Sequence, residues 1–142
     1  MIRVSHIIAN RPQPYLLDAG MSVSEASYFL QKHHIGAAPV AKEGQLVGFC
    51  SERDIVYRVV AEERNPDETR VEEIMSTDVL YASPRDTVVQ CETMMRQRHV
   101  RHLPIVENGR VVACISLRNL LRTELSEYKL EVEVLTEYIR GA

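Results

Sequence analysis

Two short stretches carry a hydroxyl, a guanidinium and a carboxylate or amide at the same spacing: Ser51-Glu52-Arg53-Asp54 and Ser116-Leu117-Arg118-Asn119. Each follows an apolar run, so each reads as a strand-to-helix junction. A helix N-terminus presents unpaired N–H groups and the positive end of the dipole, which favours phosphate. Ser51 can donate its hydroxyl to a phosphate oxygen, and the acceptor-only carboxylate of Asp54 suits two vicinal hydroxyls. Arg53 and Arg118 stand in the first helical turn, where the dipole disfavours a cation. A bound phosphate would remove that conflict. The same Ser-x-x-Asp is also a good helix N-cap, stabilising by about 1 kcal/mol with no ligand at all. On the residues alone both readings stay open. In the second stretch Asn119 replaces the carboxylate and can bond a hydroxyl only without charge assistance.

No other constellation points to chemistry. His33-His34 and His99-x-x-His102 have no acid or cysteine at a helpful ligand spacing, so no metal site is expected. A nucleophile elbow, a phosphate loop and a dinucleotide fingerprint are all missing, and no residue is a candidate for catalysis. Cys50, Cys91 and Cys114 are widely spaced and form no CxxC; they read as small buried apolar residues in a reducing compartment. A formal net charge of -3 argues against nucleic acid as the partner, which calls for a basic surplus or stripe. Apolar runs are only a few residues long, so neither a leader nor a membrane span is expected, and the expected compartment is the cytoplasm.

The elements that must position these residues occur twice. A shift of 65 positions lays residues 15–56 on 80–121 without a gap, matching Val23 with Val88, His34 with His99, Pro39 with Pro104, Gly44 with Gly109 and Ser51 with Ser116. Local signals repeat at the same offset. Tyr15-Leu16-Leu17 and Val79-Leu80-Tyr81-Ala82 suit brief strands. Ser22 with Glu25, and Thr87 with Gln90, have the capping-box spacing. Apolar residues then recur at helical intervals: Val23, Ala26, Phe29 and Leu30, then Val88, Cys91, Met94 and Met95. Strands reach Pro39 and Pro104, where proline confines them to an edge or an end of pairing. Glu43-Gly44 and Asn108-Gly109 suit tight hairpins. Buried strands, Leu46–Cys50 and Val111–Ile115, lead into the Ser51 and Ser116 helices. Each unit therefore reads β-α-β-β-α, joined by a charged connector over residues 62–68.

At this point the chain resembles the CBS (cystathionine-β-synthase-type) family. The resemblance rests on Val71–Met75, Ser83–Val88, His102–Val106 and Val112–Leu120 in the second unit, and on Gly36–Val40 and Val47–Ile55 in the first. It implies an α+β fold of two modules packed through their sheets about a pseudo-twofold axis, with clefts that bind an adenosine-containing ligand such as AMP, ATP or NAD. It also implies a regulator rather than an enzyme, one that acts in trans on a separate partner protein. The ligand residues implied are Leu16, Ala37, Ala38, Pro39, Ser51, Arg53 and Asp54 in the first unit. In the second they are Leu80, Tyr81, Arg101, His102, Leu103, Pro104, Ser116, Arg118 and Asn119. The family's phosphate-touching threonine is replaced at Leu16 and Tyr81, where the tyrosine offers a ring to stack on a base. Arg101 and His102 supply positive charge or stand as a solvated pair, and the small Ala37 and Ala38 leave room for adenine. The competing reading is a ligand-free dimeric scaffold.

Beyond the second unit Leu121, Leu125, Tyr128, Val132, Leu135 and Ile139 alternate at spacings of four and three, the stripe of a packing helix. The expected division is a first module with connector at 1–68, a second module at 69–125 and a C-terminal helix at 126–142. The stripe is expected to form a homodimer contact rather than pack back on its own modules.

Overall fold

In the computed structural model, which describes residues 1–141, Ser22 Oγ accepts the Glu25 N–H at 3.1 Å and Thr87 Oγ1 accepts that of Gln90 at 3.1 Å. These caps satisfy donors that a helix start leaves free. They begin α2 (Val23–His33) and, in the second unit, α5 (Val88–Arg98). Both helices stop at a histidine in the left-handed region, His34 and His99, each with φ 54°. The periodic faces are buried as expected: Val23, Ala26 and Leu30 in one helix, Val88, Cys91 and Met95 in the other.

After each helix comes a hairpin. β2 (Ala37–Lys42) pairs with β3 (Gln45–Ser51), and β4 (His102–Glu107) with β5 (Arg110–Ser116). Glu43 and Gly44 have φ of 55° and 83°, and Asn108 and Gly109 have 53° and 79°. Two successive positive φ values match the twist of a two-residue hairpin and explain both dipeptides.

The leading strands are shorter than the sequence suggests. β1 is only Leu17–Asp18, parallel to β2, and in the second unit only Ala82 pairs, with Ile105. Ala82 N–H donates to Pro104 O, and Val106 N–H donates to Ala82 O. The next rung toward Leu80 would need the N–H that Pro104 lacks, so the ladder ends there. Pro39 terminates the equivalent ladder in the same way.

One sheet of order β1-β2-β3-β5-β4 spans both units. Its halves join where Gln45 pairs with Arg110. Those two residues are each other's counterparts at the 65-residue offset, so the pseudo-twofold axis passes between them. The two hairpin turns pack reciprocally there, Gly44 against the Arg110 guanidinium and Gly109 against the Gln45 amide.

Two apolar cores result, and each is closed by a short helix that lies outside the repeated segments. Helix α4 (Val71–Ile74) closes the first core with Leu17, Val23, Ala38, Val40, Cys50 and Val59. Helix α1 (Val4–Ile8) closes the second core, where Val4 packs with Val88, Met95, Leu103 and Ile115. The cause is backbone pairing. Val71 N–H donates to Met21 O and Val23 N–H to Thr69 O, while Val4 N–H donates to Asp86 O and Val88 N–H to Ile2 O. The first module is therefore continuous, and the second is assembled from both ends of the chain.

The second helices differ. Ser51 caps α3 (Glu52–Ile55), which widens into a π-helical turn at Val56–Val60 before the connector. In the second unit α6 runs unbroken from Leu117 to Gly141. The expected separate helix after residue 125 is the same helix, because no proline and no interior glycine interrupts it; Ala142 lies outside the described residues. The stripe does not fold back: Leu125, Leu135 and Ile139 are 55%, 60% and 72% exposed. Among the described residues no helix is long and apolar enough to cross a membrane.

Gly48 gives a test of this packing. The Met75-Ser76 segment crosses β3 here, Phe49 and Ser76 exchange both backbone bonds at 2.9 Å, and a Cβ on Gly48 would collide with Met75 and Ser76 O. The counterpart, Ala113, carries a methyl because no bridging segment crosses it. Gly48→Ala is expected to cost about 1–3 kcal/mol by overpacking, read as a Tm lower by roughly 3–10 °C in a calorimetric scan. An unchanged Tm would show that the 75–76 segment lifts away at no cost.

Candidate functional site

The two serine junctions are built as caps in both modules. Ser51 N–H donates to Asp54 Oδ2 at 2.9 Å, and Asp54 N–H donates to Ser51 Oγ at 3.2 Å. At the counterpart Ser116 N–H and hydroxyl donate to Asn119 Oδ1 at 3.2 and 2.7 Å, and Asn119 N–H donates to Ser116 Oγ at 3.1 Å. Capping thus occupies these side chains. It also fixes their position at the ends of β3 and β5, where each helix N-terminus opens into a cleft between modules.

The first cleft, about 680 Å³, brings Ser51, Arg53 and Asp54 of the first module against Val79, Leu80, Arg101, His102 and Pro104 of the second. Ala37, Phe49, Ser76, Asp78 and His99 complete its walls. The second cleft, about 550 Å³, reverses the roles: Arg11, Gln13, Pro14, Tyr15, His34, Ala37 and Pro39 face Cys114 and Asn119, with His102 at the junction. Pro14 and Val79, Tyr15 and Leu80, Ala37 and His102, and Asn119 and Asp54 are counterparts at the 65-residue offset. Each cleft therefore joins the leading half of one module to the capped helix of the other. Ser116 and Arg118 face a third, outer cleft with Arg101, Leu121, Arg122 and Leu125.

Six expected ligand residues are not brought to either inter-module cleft: Ser116 and Arg118, which face the outer one, and Ala38, Leu103, Leu16 and Tyr81. Ala38 and Leu103 are fully buried in the cores. Leu16 lines neither cleft, and Tyr81, expected to stack on a base, is 59% exposed and points away. Alternation accounts for this placement: in each extended segment Tyr15 and Leu80 line the clefts, Leu17 and Ala82 face the cores, and the residues between them line neither cleft. The aromatic wall of the second cleft is instead Tyr15, whose ring stacks on His33 at 4.2 Å and meets Phe29 edge-on at 5.9 Å. Arg11, Ser76, Asp78 and Phe49 were also missed; the leading segments that hold three of them come from the opposite module, a juxtaposition with no local sequence signal.

The clefts differ in charge. The first holds Arg53, Arg101 and His102 against Asp54, Glu52 and Asp78, with Asp78 paired to Arg98 at 2.9 Å. Arg58 approaches Asp54 Oδ1 at 3.9 Å and donates to Ile74 O at 2.8 Å, tying α3 to α4. The His102 imidazole is held below its usual range, first by desolvation and then by Arg101. In the second cleft Gly36 and Ala37 stand where the first has Arg101 and His102, leaving Arg11 as its arginine. Cys114 beside it is pushed up to about 12, chiefly by burial, and burial also raises Cys50 to about 12 and Cys91 to about 11. These thiols are protonated at neutral pH and poor nucleophiles. Among the described residues no three metal-ligating side chains converge.

The family profile for the CBS domain matches residues 4–61 and 71–126. A CBS domain-containing protein of Bacillus subtilis, YhcV, is 32% identical over 105 residues, which is 74% of each chain. Two further relatives are longer, and the chain spans 61% and 52% of them. Among solved structures, a CBS domain protein from Pyrobaculum aerophilum complexed with AMP is 27% identical with a TM-score of 0.72, over 83% of this chain and 89% of that one. The CBS domain pair of protein MJ0100, in complex with methylthioadenosine and S-adenosyl-L-methionine, is 26% identical with a TM-score of 0.75, over 89% of this chain and 98% of that one. With both repeats matched and the clefts formed between them, this chain belongs to the CBS domain family as a tandem pair.

Proposed function

We propose that the pair is a regulatory sensor that binds an adenosine-containing ligand (AMP, ATP or NAD), does not consume it, and acts in trans on a separate protein. One observation carries the reading: the first cleft sets a hydroxyl, a carboxylate and a helix N-terminus from one module opposite Arg101 and His102 from the other. Asp54 suits the ribose hydroxyls, Ser51 and the positive end of α3 suit a phosphate, and Ala37 leaves space beside them. Structural relatives carrying AMP, or methylthioadenosine with S-adenosyl-L-methionine, support the same ligand class. The cysteine thiols, which burial holds protonated, support binding without turnover.

The capping boxes favour one second reading, a ligand-free scaffold, because Ser51 and Asp54 already satisfy each other. Calorimetric titration with AMP separates the two. Asp54→Asn is expected to weaken binding about tenfold, because a charge-assisted bond gives way to a neutral one. It should cost little stability, since Asn119 already caps α6 with an amide in the second module. Loss of all binding to the parent chain by AMP, ATP and NAD alike would leave the scaffold.

The His102 direction gives an independent check. Its native value lies below the unfolded one, so the fold favours neutral imidazole, and this site's stability contribution falls as pH drops below about 6.5. A phosphate beside His102 favours the cation and raises the value. AMP should therefore shift the NMR titration of His102 upward, and its affinity should rise as pH falls through that window. A shift in the opposite direction, or none at saturating AMP, overturns the placement of phosphate beside Arg101 and His102.

A further inference from the structure

The exposed face of α6 has a charge pattern that selects its own partner. Reading the stripe as a heptad seam puts Leu125, Val132 and Ile139 at one core position and Leu121, Tyr128 and Leu135 at the other. The flanks of the seam then differ in sign. Arg122 and Lys129 lie along one side, and Glu124 and Glu131 along the other. Two such helices placed antiparallel would set acid against acid and base against base. Placed parallel and in register, each helix sets Glu124 opposite the other's Lys129, five positions on, and symmetry makes that pair twice.

We infer that α6 forms a parallel, in-register, two-stranded coiled coil with α6 of a second copy of this chain. The core residues agree with the charges. β-Branched Val132 and Ile139 on one row with Leu135 on the other is the combination that favours two parallel strands. The seam is open to receive a partner, with Leu125, Leu135 and Ile139 all more than half exposed. Glu124 also has a local reason to accept a cation. Within its own chain it meets Glu92, whose carboxylate pairs with Arg96, and the Glu92 contact holds the Glu124 carboxyl above its usual range. The second copy's Lys129 adds a countercharge to that of Arg96. A second apolar row, Leu130, Val134 and Tyr138, is exposed on the far side; it covers only about two turns and lacks matched flanks. This inference stands on α6 alone and does not depend on ligand binding.

Cysteine cross-linking reads the geometry directly. Leu135→Cys should oxidise to a disulfide-linked dimer under mild conditions, with the parent chain as the control for its three native thiols. Mixing separately tagged Leu125→Cys and Leu135→Cys chains distinguishes the orientations. A parallel pair yields 135–135 and 125–125 links, whereas an antiparallel pair centred near residue 130 yields 125–135 links. Light scattering of the parent should give twice the 16.2 kDa chain mass. Lys129→Glu should raise the dimer dissociation constant about five- to tenfold, and the charge-reversed double change Glu124→Lys, Lys129→Glu should restore it. Helical circular dichroism and a cooperative thermal melt of the same variants show that the modules remain folded. A monomer at tens of micromolar, a tetramer, dominant 125–135 links, or indifference to Lys129→Glu would each overturn the inference.

Discussion

The backbone N–H groups of Val23 and Val88, at the first turns of α2 and α5, donate to Thr69 O at 2.8 Å and Ile2 O at 2.9 Å. Those bonds satisfy helix donors that would otherwise be orphaned, and they bring Val71 and Val4 to complete exclusion from solvent. Neither strap lies inside the repeat it closes. The chain runs from the strap of the second module, through the first module and its strap, to the rest of the second. Closing the second core therefore wraps the first module within it. A unit of about sixty residues buries too little apolar surface to be secure alone, and here the two are linked by sheet, straps and connector together. The two inter-module clefts inherit their geometry from that closure, since each draws its walls from both modules.

Within this symmetric frame the residues that break the symmetry decide the chemistry. Asp54 faces Asn119 across the pseudo-axis, Arg101 faces Gly36, His102 faces Ala37, Phe49 faces Cys114 and Asp78 faces Gln13. Most of the ionisable side chains, Glu52, Arg53, Asp54, Asp78 and Arg101, line one cleft, while the other has Arg11, His34, small residues, an amide and the Tyr15 ring, and His102 borders both. Two equal pockets would respond to a ligand at one threshold. Two unequal ones can respond at different concentrations or to different ligands of one class.

What could be read from the sequence was what local chemistry decides. Thr87 and Gln90, Asn108 and Gly109, or Ser51 and Asp54 need only each other's company within a few residues, and they fold as their spacing requires. The CBS resemblance supplied the pseudo-twofold arrangement, which the Gln45–Arg110 pair embodies. What could not be read depended on distant partners. Nothing in Ile2-Arg3-Val4 announces that it will pair with Asp86 and Thr87. The composition of each cleft was half legible, because its capped helix has a signature and its opposing segment, Arg11–Tyr15 or Ser76–Leu80, has none. Tyr81 was misplaced by one residue, and in extended backbone one residue exchanges inside for outside. The π-helical turn at Val56–Val60 has no compositional mark that separates it from the regular helix at Leu121–Leu125.

That last difference makes the two modules mechanically unlike. In the first, the helix that borders the cleft lasts one regular turn, widens at Val56–Val60 and passes into a loop at Glu63. A displacement at Ser51 is absorbed within a few residues. In the second, Asn119 lines the cleft and also belongs to a continuous helix of 25 residues, about 37 Å long at 1.5 Å per residue. A rigid rod pivoted at its first turn magnifies angle into distance, so a tilt of about 5° at Ser116 carries the Ile139 end through roughly 3 Å. One cleft ends in a damper and the other in a lever.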